Sequence, residues 1–372
     1  MPTVLVAHPS ADVYGSDLQL LESLAGLTED GHAVRLVLPD GGPLLDRLPA
    51  GIALETRSAP VLRKALLRPG PLAAMLLRTP VELYRMVRTL RRARPDAVYV
   101  NTVTQPHWIL AARLARIPVL VHVHEAEELS HPLVRKVLYA PLLAARRVIA
   151  NSETTRRVVL TAHPRLAGRT VVVPNGVPDP GPQPDSAVEP GHLVVVSRLS
   201  PRKGVDVALE AVARLRRAGR EVTLRICGTP FAGYEWFEQQ LRRRAAQDDL
   251  AGAVEFAGYV SPPSEALRRA AVVLVPSLGE SFGNAAVEAL LAQRPVVASG
   301  VQGLAEVIQD GRSGLLVPAG DAAALADAVE RLLADRELAD RLARQGRERA
   351  LELYTLPRYR RAIADQVAQM SR

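Results

Sequence analysis

The 372 residues carry 47 Lys and Arg against 39 Asp and Glu, a net charge of +8, with 48% hydrophobic residues but only 4% aromatics. Domains typically run roughly 100–200 residues, so two domains are expected, with cores built from Val, Leu and Ala. Cys227 is the only cysteine, which excludes an intrachain disulfide or a cysteine metal cluster and points to a reducing, cytoplasmic compartment. No run nears the roughly 20 apolar residues that span a bilayer.

The opening MPTVLVAHPSADVYGSD reads as a first strand and its loop, not a leader. From there short apolar runs alternate with helical patterns, the mark of parallel α/β sheets. Strands are expected at Thr3–Ala7, Ala33–Leu38, Ala97–Asn101, Val119–His124, Arg147–Ala150 and Val171–Pro174, separated by helices such as Asp17–Leu27 and Trp108–Ala115. The stretch Pro174–Pro184 is too rich in Pro and Gly for a regular element and reads as a linker. The pattern then restarts. Strands are expected at His192–Ser197, Val222–Cys227, Val254–Ala257, Val272–Pro276, Val296–Ser299 and Gly314–Val317, with a helix at Val205–Ala218 and a helix-rich tail from Asp321. The fold class is therefore α/β: two doubly wound, Rossmann-like domains facing a central cleft. Residues 1–174 form the first and 175–354 the second, with a helix of about 355–372 returning to the first. Such sheets bind ligands at the carboxyl ends of their strands.

Two motifs in the second half carry chemistry. After the strand His192–Ser197 comes Ser197-Arg198-Leu199-Ser200-Pro201-Arg202-Lys203-Gly204. Two cations at a strand end, beside a helix start, suit a diphosphate; two solvated surface charges are the plain alternative. Only three lysines occur in the chain, and one of them is here. The second motif is Glu280-Ser281-Phe282-Gly283-Asn284-Ala285-Ala286-Val287-Glu288, which enters a helix expected over Ala285–Gln293. Glu280 then lies in the loop and Glu288 about two turns into the helix. Carboxylates there can accept hydrogen bonds from sugar hydroxyls, and backbone N–H groups near Phe282, Gly283 and Asn284 can meet a phosphate. A helix-start carboxylate plus an ordinary surface Glu would look the same by spacing.

In combination these motifs are recognisable. Ser-Arg-Leu-x-x-x-Lys-Gly followed by Pro-Ser-x-x-Glu-Ser-Phe-Gly-x-x-x-x-Glu-Ala resembles the family 4 retaining glycosyltransferases of GT-B type. Asn151-Ser152-Glu153, Pro174-Asn175-Gly176-Val177, Pro295–Ser299 and Asp310–Pro318 fit the family pattern in order. The resemblance implies transfer of a sugar from a UDP- or GDP-linked donor to a glycan, lipid-linked or small-molecule acceptor, with retained anomeric configuration. It implies a C-terminal donor domain and an N-terminal acceptor domain. Arg198 and Lys203 would neutralise the departing diphosphate, Glu280 would hold the transferred sugar and Glu288 the ribose. No metal or other cofactor is implied, and Asp248, Asp249 and Asp321 read as helix-end charges.

The family's glycine-rich loop corresponds to His8–Ser16, where the usual glycine pair is reduced to Gly15, placed to admit the donor phosphates at a helix start. In Val121-His122-Val123-His124-Glu125, alternation puts both histidines on one face. His124 matches the family's strand-end histidine near the anomeric carbon, so it would orient or stabilise rather than attack; a histidine capping the strand is the alternative, and His122 reads as structural. Asn101 is a candidate acceptor contact. His8, His107 and His131 have no such context.

Three other readings compete. A nucleotide-sugar epimerase or phosphorylase could use the same architecture. A dinucleotide-dependent oxidoreductase would need Gly-x-Gly-x-x-Gly after the first strand, and His8–Ser16 has one glycine. A nucleic-acid binder would interleave its basic residues with aromatics, which are scarce, so no nucleic-acid partner is expected. The basic excess is instead concentrated: Arg57 to Arg94 holds ten basic residues against one acid, Glu82. Arg63, Lys64 and Arg68 lie early in it, and Arg85, Arg88 and Arg92 form one helical stripe with Leu83, Met86, Val87 and Leu90 available to another. Two readings stay open, a basic helix on an anionic membrane or a core-packing helix with a solvated basic face.

Overall fold

The computed structural model describes residues 1–57, 59, 61–62, 69–128, 130–181 and 188–370. Arg63, Lys64 and Arg68 lie outside the described residues, as does part of the Pro-rich stretch after Gly181. The chain divides into two compact units, Met1–Gly176 with Leu356–Arg372, and Val177–Thr355.

The first unit runs β1 (Thr3–Ala7), α1 (Gly15–Glu29), β2 (Ala33–Leu38), β3 (Ala53–Thr56), α2 (Pro69–Ala93), β4 (Ala97–Val100), α3 (Pro106–Ala115), β5 (Val119–Val123), α4 (Pro132–Tyr139), β6 (Arg147–Ala150), α5 (Glu153–Ala162) and β7 (Thr170–Val172). Its sheet has the order β3-β2-β1-β4-β5-β6-β7, and every pairing is parallel. Strands such as TVLVA and VLVHV are near-continuous apolar runs because helices cover both faces. One face packs Leu20, Leu24 and Leu27 of α1 with Tyr359, Ile363 and Val367; the other packs Met86, Leu90, Trp108 and Ile109. Strand β3 has no sequence counterpart above. It is a short edge strand, ALET, with no buried residue, so no apolar alternation marks it.

The second unit runs β8 (His192–Val196), α6 (Val205–Arg217), β9 (Thr223–Cys227), α7 (Glu235–Ala245), β10 (Val254–Gly258), α8 (Ser264–Arg269), β11 (Val272–Val275), α9 (Asn284–Leu291), β12 (Val296–Ser299), α10 (Leu304–Val307), β13 (Leu315–Val317), α11 (Ala322–Ala334) and α12 (Arg336–Leu353). Its parallel sheet has the order β10-β9-β8-β11-β12-β13. Asp321 and Asp335 cap α11 and α12, accepting from backbone N–H groups of the first turn. The last helix, α13 (Leu356–Ala368), belongs to the first unit. It lies on α1, where Arg360 pairs with Glu22 and Glu29 at 2.6 Å each.

In each sheet the strand order reverses once, between β1 and β4 and between β8 and β11. At such a switch point the two flanking loops turn to opposite faces and leave a crevice at the carboxyl ends of the strands. In this chain the loops at those positions start at His8 and Asn101 in one unit and at Ser197 and Pro276 in the other. Among the described residues no helix is long and apolar enough to cross a membrane.

Candidate active site

In the second unit the loops after β8 and β11 are bound to each other. Leu278 N donates to Arg202 O at 2.8 Å and Arg202 Nε donates to Gly279 O at 2.8 Å. Pro201–Lys203 forms one 3-10 turn that ends in Gly204, φ +64°. A side chain at Gly204 would bring its Cβ within 2.0 Å of Pro276 O, so the close approach of the two loops requires glycine. This approach brings Lys203 and Glu280 together. Lys203 Nζ donates to Glu280 Oε2, and Ser277 Oγ reaches the same oxygen at 3.4 Å. The Glu280 backbone is held from the other side by Gln302 Oε1, which accepts from Glu280 N at 2.8 Å, and by Gly303 N, which donates to Glu280 O at 2.9 Å.

Arg198 lies two residues past the end of β8. Its guanidinium lies over the Phe231 ring, 3.4 Å from the centroid, a cation–π contact that fixes the head group. Helix α9 starts at Asn284 after Gly283, φ +114°, where a Cβ would meet Leu304 Cδ2 at 2.5 Å. The first two N–H groups bonded back within this turn are those of Ala286 and Val287, both to Gly283 O. The ligand group expected at Phe282 is its backbone N–H; the side chain is buried and packs edge-on against Tyr354, ring centroids 5.4 Å apart. Glu288 is the fifth residue of α9 and so lies one turn in rather than the two expected, although the helix starts one residue earlier than expected, at Asn284. Glu288 is half-buried. Burial alone, with no compensating cation or hydrogen bond, pushes its carboxyl up to about 7. A carboxyl held without a partner in the first turns of a helix is a ready acceptor for hydroxyl groups.

In the first unit, side chains from the ends of β1, β4 and β5 and the start of α1 form one polar network. His8 Nε2 contacts Asp17 Oδ1 at 2.7 Å, Ser10 Oγ donates to the same oxygen at 2.6 Å, and Tyr14 N donates to Asp17 Oδ2 at 3.0 Å. Burial opposes ionisation of Asp17, but the hydrogen bonds from His8, Ser10 and the Tyr14 N–H outweigh it and hold the carboxyl below its usual range. Gly15 is the first residue of α1, within this cap. Asn101 is fully buried. It contacts His8 Nδ1 at 3.1 Å, Ser16 O at 3.2 Å, Tyr99 OH at 3.1 Å and His124 Nε2 at 3.1 Å. All of its hydrogen-bonding capacity is used inside the protein, so it cannot serve as the acceptor contact expected of it. His124 sits one residue past β5, half-buried. Burial, reinforced by His8 and opposed by Asp17, pushes its imidazole down to about 3, so it is neutral at physiological pH. The His122 ring lies 4.0 Å from that of His124, on the same face of the strand.

Sequence reasoning passed over His8, Asp17, Tyr99 and Phe231. The first two carried a signal, a histidine at the first strand end and an acid at the third residue of the following helix. Tyr99 and Phe231 carried none, since each acts through a contact distant in sequence.

Two parallel-sheet α/β units, each with one switch point in its strand order, define a protein of the GT-B architecture. Residues 15–179 match the family described as Glycosyltransferase Family 4, and residues 190–335 match the one described as Glycosyl transferases group 1. The chain belongs to the family 4 glycosyltransferases. It is 37% identical over 206 residues to a D-inositol 3-phosphate glycosyltransferase of Acidothermus cellulolyticus, a match covering 51% of this chain and 46% of that protein. It is 36% identical over 214 residues to the phosphatidyl-myo-inositol mannosyltransferase of Mycobacterium leprae, covering 54% and 53%. The chain thus spans about half the length of these curated relatives. Its fold is similar to that of HepE (Alr3699) of Anabaena, solved in complex with UDP-glucose, with TM-score 0.83, 22% identity and 99% of each chain covered.

Proposed function

We propose that this protein transfers a sugar from a UDP- or GDP-linked donor to an acceptor, with retention of anomeric configuration. The second unit takes the donor. Arg198 and Lys203 meet the diphosphate, where negative charge grows as the glycosyl–phosphate bond breaks, so they stabilise the transition state more than the ground state. Glu280 holds hydroxyls of the transferred sugar, and Glu288 holds the ribose. The first unit takes the acceptor and supplies His124. The observation that carries this reading is the Lys203–Glu280 pair, made by two loops bound together at the switch point and followed one turn later by the unpartnered Glu288.

The acceptor we favour is lipid-linked, at an anionic membrane surface. Helix α2 supports it. Met86 and Leu90 are buried, and Leu83 and Val87 pack on the core, so this stripe packs inward as the core-packing alternative requires. A different apolar set is open to solvent. Leu77 (81%), Val81 (52%) and Tyr84 (66%) are exposed alongside Arg78, Arg85, Arg88, Arg91 and Arg92. Apolar side chains among arginines suit anionic headgroups, and one relative is named for a phosphatidylinositol acceptor.

The test is incubation with UDP- and GDP-sugars, with and without lipid extract, followed by proton NMR of the first-formed product. Transfer with an unchanged anomeric configuration is expected. An inverted anomeric signal contradicts the retaining reading, and a changed sugar from donor alone makes the protein an epimerase.

A further inference from the structure

We propose that Asn101 locks His124 in the Nε2–H tautomer, so that the ring offers Nδ1 to the ligand as a hydrogen-bond acceptor. The Ser16 backbone carbonyl can only accept, so the Asn101 group 3.2 Å from it must be the amide Nδ2. Reversing the amide would set Oδ1 against Ser16 O, two acceptors in contact. With Nδ2 fixed there, Oδ1 faces Tyr99 OH and His124 Nε2, both at 3.1 Å. A carbonyl oxygen requires a donor, so Nε2 of His124 carries the proton.

The other half of the network agrees. Asn101 Nδ2 also points at His8 Nδ1, 3.1 Å away, which must accept. The proton of His8 therefore sits on Nε2, where it is donated to Asp17 Oδ1 at 2.7 Å. Asp17 in turn takes Ser10 Oγ and Tyr14 N, so an ionised carboxylate anchors the chain of donors at its far end. Each link has one direction, and donation runs from His124 through Asn101 and His8 to Asp17. The His124 imidazole is buried enough to stay neutral and has one proton, which Asn101 already holds. Its Nδ1 has no hydrogen-bond partner among the described residues. His122 stacks 4.0 Å away and limits rotation of the ring. Asn101 is thus a positioning residue. It makes His124 an acceptor of a sugar or acceptor hydroxyl and prevents it from donating a proton at that atom. This rests on the reading of His124 as a ligand-facing group, but the tautomer itself is a property of the free protein.

The experiment is long-range proton–nitrogen NMR of the ¹⁵N-histidine-labelled full chain without ligand, with His124 identified by its loss in His124→Gln. A protonated Nε2 and a bare Nδ1 at neutral pH are expected, with a mixture of tautomers in Asn101→Leu. A protonated Nδ1 or an imidazolium in the wild-type chain would overturn the proposal, whether or not the protein transfers sugar. Where Asn101→Leu folds, turnover should fall on the order of tenfold or more while nucleoside-diphosphate affinity holds. Unchanged turnover with a mixed tautomer would also overturn it. A correct tautomer in a protein that transfers nothing would refute the transferase reading and leave the lock standing.

Discussion

Lys203 and Glu280 are 77 residues apart in sequence and in direct contact in the fold, the ammonium donating to a carboxylate oxygen. The group assigned to the donor diphosphate therefore starts out paired with the group assigned to the transferred sugar. Neither is fully exposed, with side chains 25% and 15% accessible, so the contact is only partly screened by water. A diphosphate must compete with Glu280 for Lys203. Lys203→Ala and Arg198→Ala should each lower diphosphate affinity by about 1.5–3 kcal/mol, the value of a charge-assisted hydrogen bond, and lower turnover further. Isothermal titration and initial rates check both, and near-wild-type rates in the two variants would remove the donor-site assignment.

Glu280→Ala has a different expected signature because of that pairing. Removing the carboxylate frees Lys203, so affinity for the bare nucleoside diphosphate should stay equal or rise while transfer collapses. Glu288→Ala should instead weaken the nucleoside diphosphate itself. Calorimetry with the diphosphate and no sugar separates the two, and a loss of affinity in Glu280→Ala alone would exchange the roles.

Glu288 also links function to stability. Its carboxyl titrates near 7 in the fold against 4.5 in the unfolded chain. A raised folded pKa contributes stability that is present below 4.5 and lost as pH rises through about 7. Glu288→Gln should therefore stabilise the free protein at pH 8, by about 1–3 kcal/mol, and do so less at pH 5. Urea unfolding of both chains at the two pH values tests this. An equal effect at both would mean that Glu288 is not held in an unfavourable ionisation state.

His124 gives the opposite slope. Its folded value of about 3 lies below the ordinary 6.5, so its contribution is complete above pH 6.5 and is lost as pH falls toward 3. His122, depressed well below its ordinary value by burial and by His124, acts in the same direction. The unfolding free energy should drop between pH 6.5 and 4, with a slope approaching 1.4 kcal/mol per pH unit for each neutral buried histidine. The slope should be shallower in His124→Gln. Parallel slopes in the two chains would contradict the buried, neutral His124.

The membrane reading makes a separate prediction. Co-sedimentation with vesicles should require anionic lipid, weaken with salt, and drop when Arg85, Arg88 and Arg92 become Gln, each basic residue contributing roughly 1 kcal/mol near the surface. Leu77→Ser with Tyr84→Ser should reduce it as well, since those side chains are exposed in α2. Full recovery in the supernatant at low salt would favour a soluble acceptor.

The strands and the two loops that carry Lys203 and Glu280 were legible because their information is local. Apolar runs mark buried parallel strands, and Arg198, Lys203, Glu280 and Glu288 sit in short motifs at strand ends. What the sequence hid depends on tertiary approach. Nothing near Phe231 says that its ring will carry Arg198, and nothing near Asn101 says that its amide will be consumed by His8, Ser16, Tyr99 and His124. Nor does anything near Phe282 say that its ring will pack edge-on against Tyr354. In α2 the arginine stripe was visible from helical spacing, but which apolar residues would be left over depended on how the helix is rotated against the core.

The crevice at the β8–β11 switch point is proposed as a nucleoside-diphosphate site. Titrating UDP, GDP and ADP into the full chain while following its unfolding temperature tests this most directly, because a ligand that binds only the folded state stabilises it by mass action. One of the three should raise the unfolding temperature in a saturable way, and the shift should shrink in Lys203→Ala and Glu288→Ala. No shift with any diphosphate, or a shift that both variants retain in full, would contradict the account.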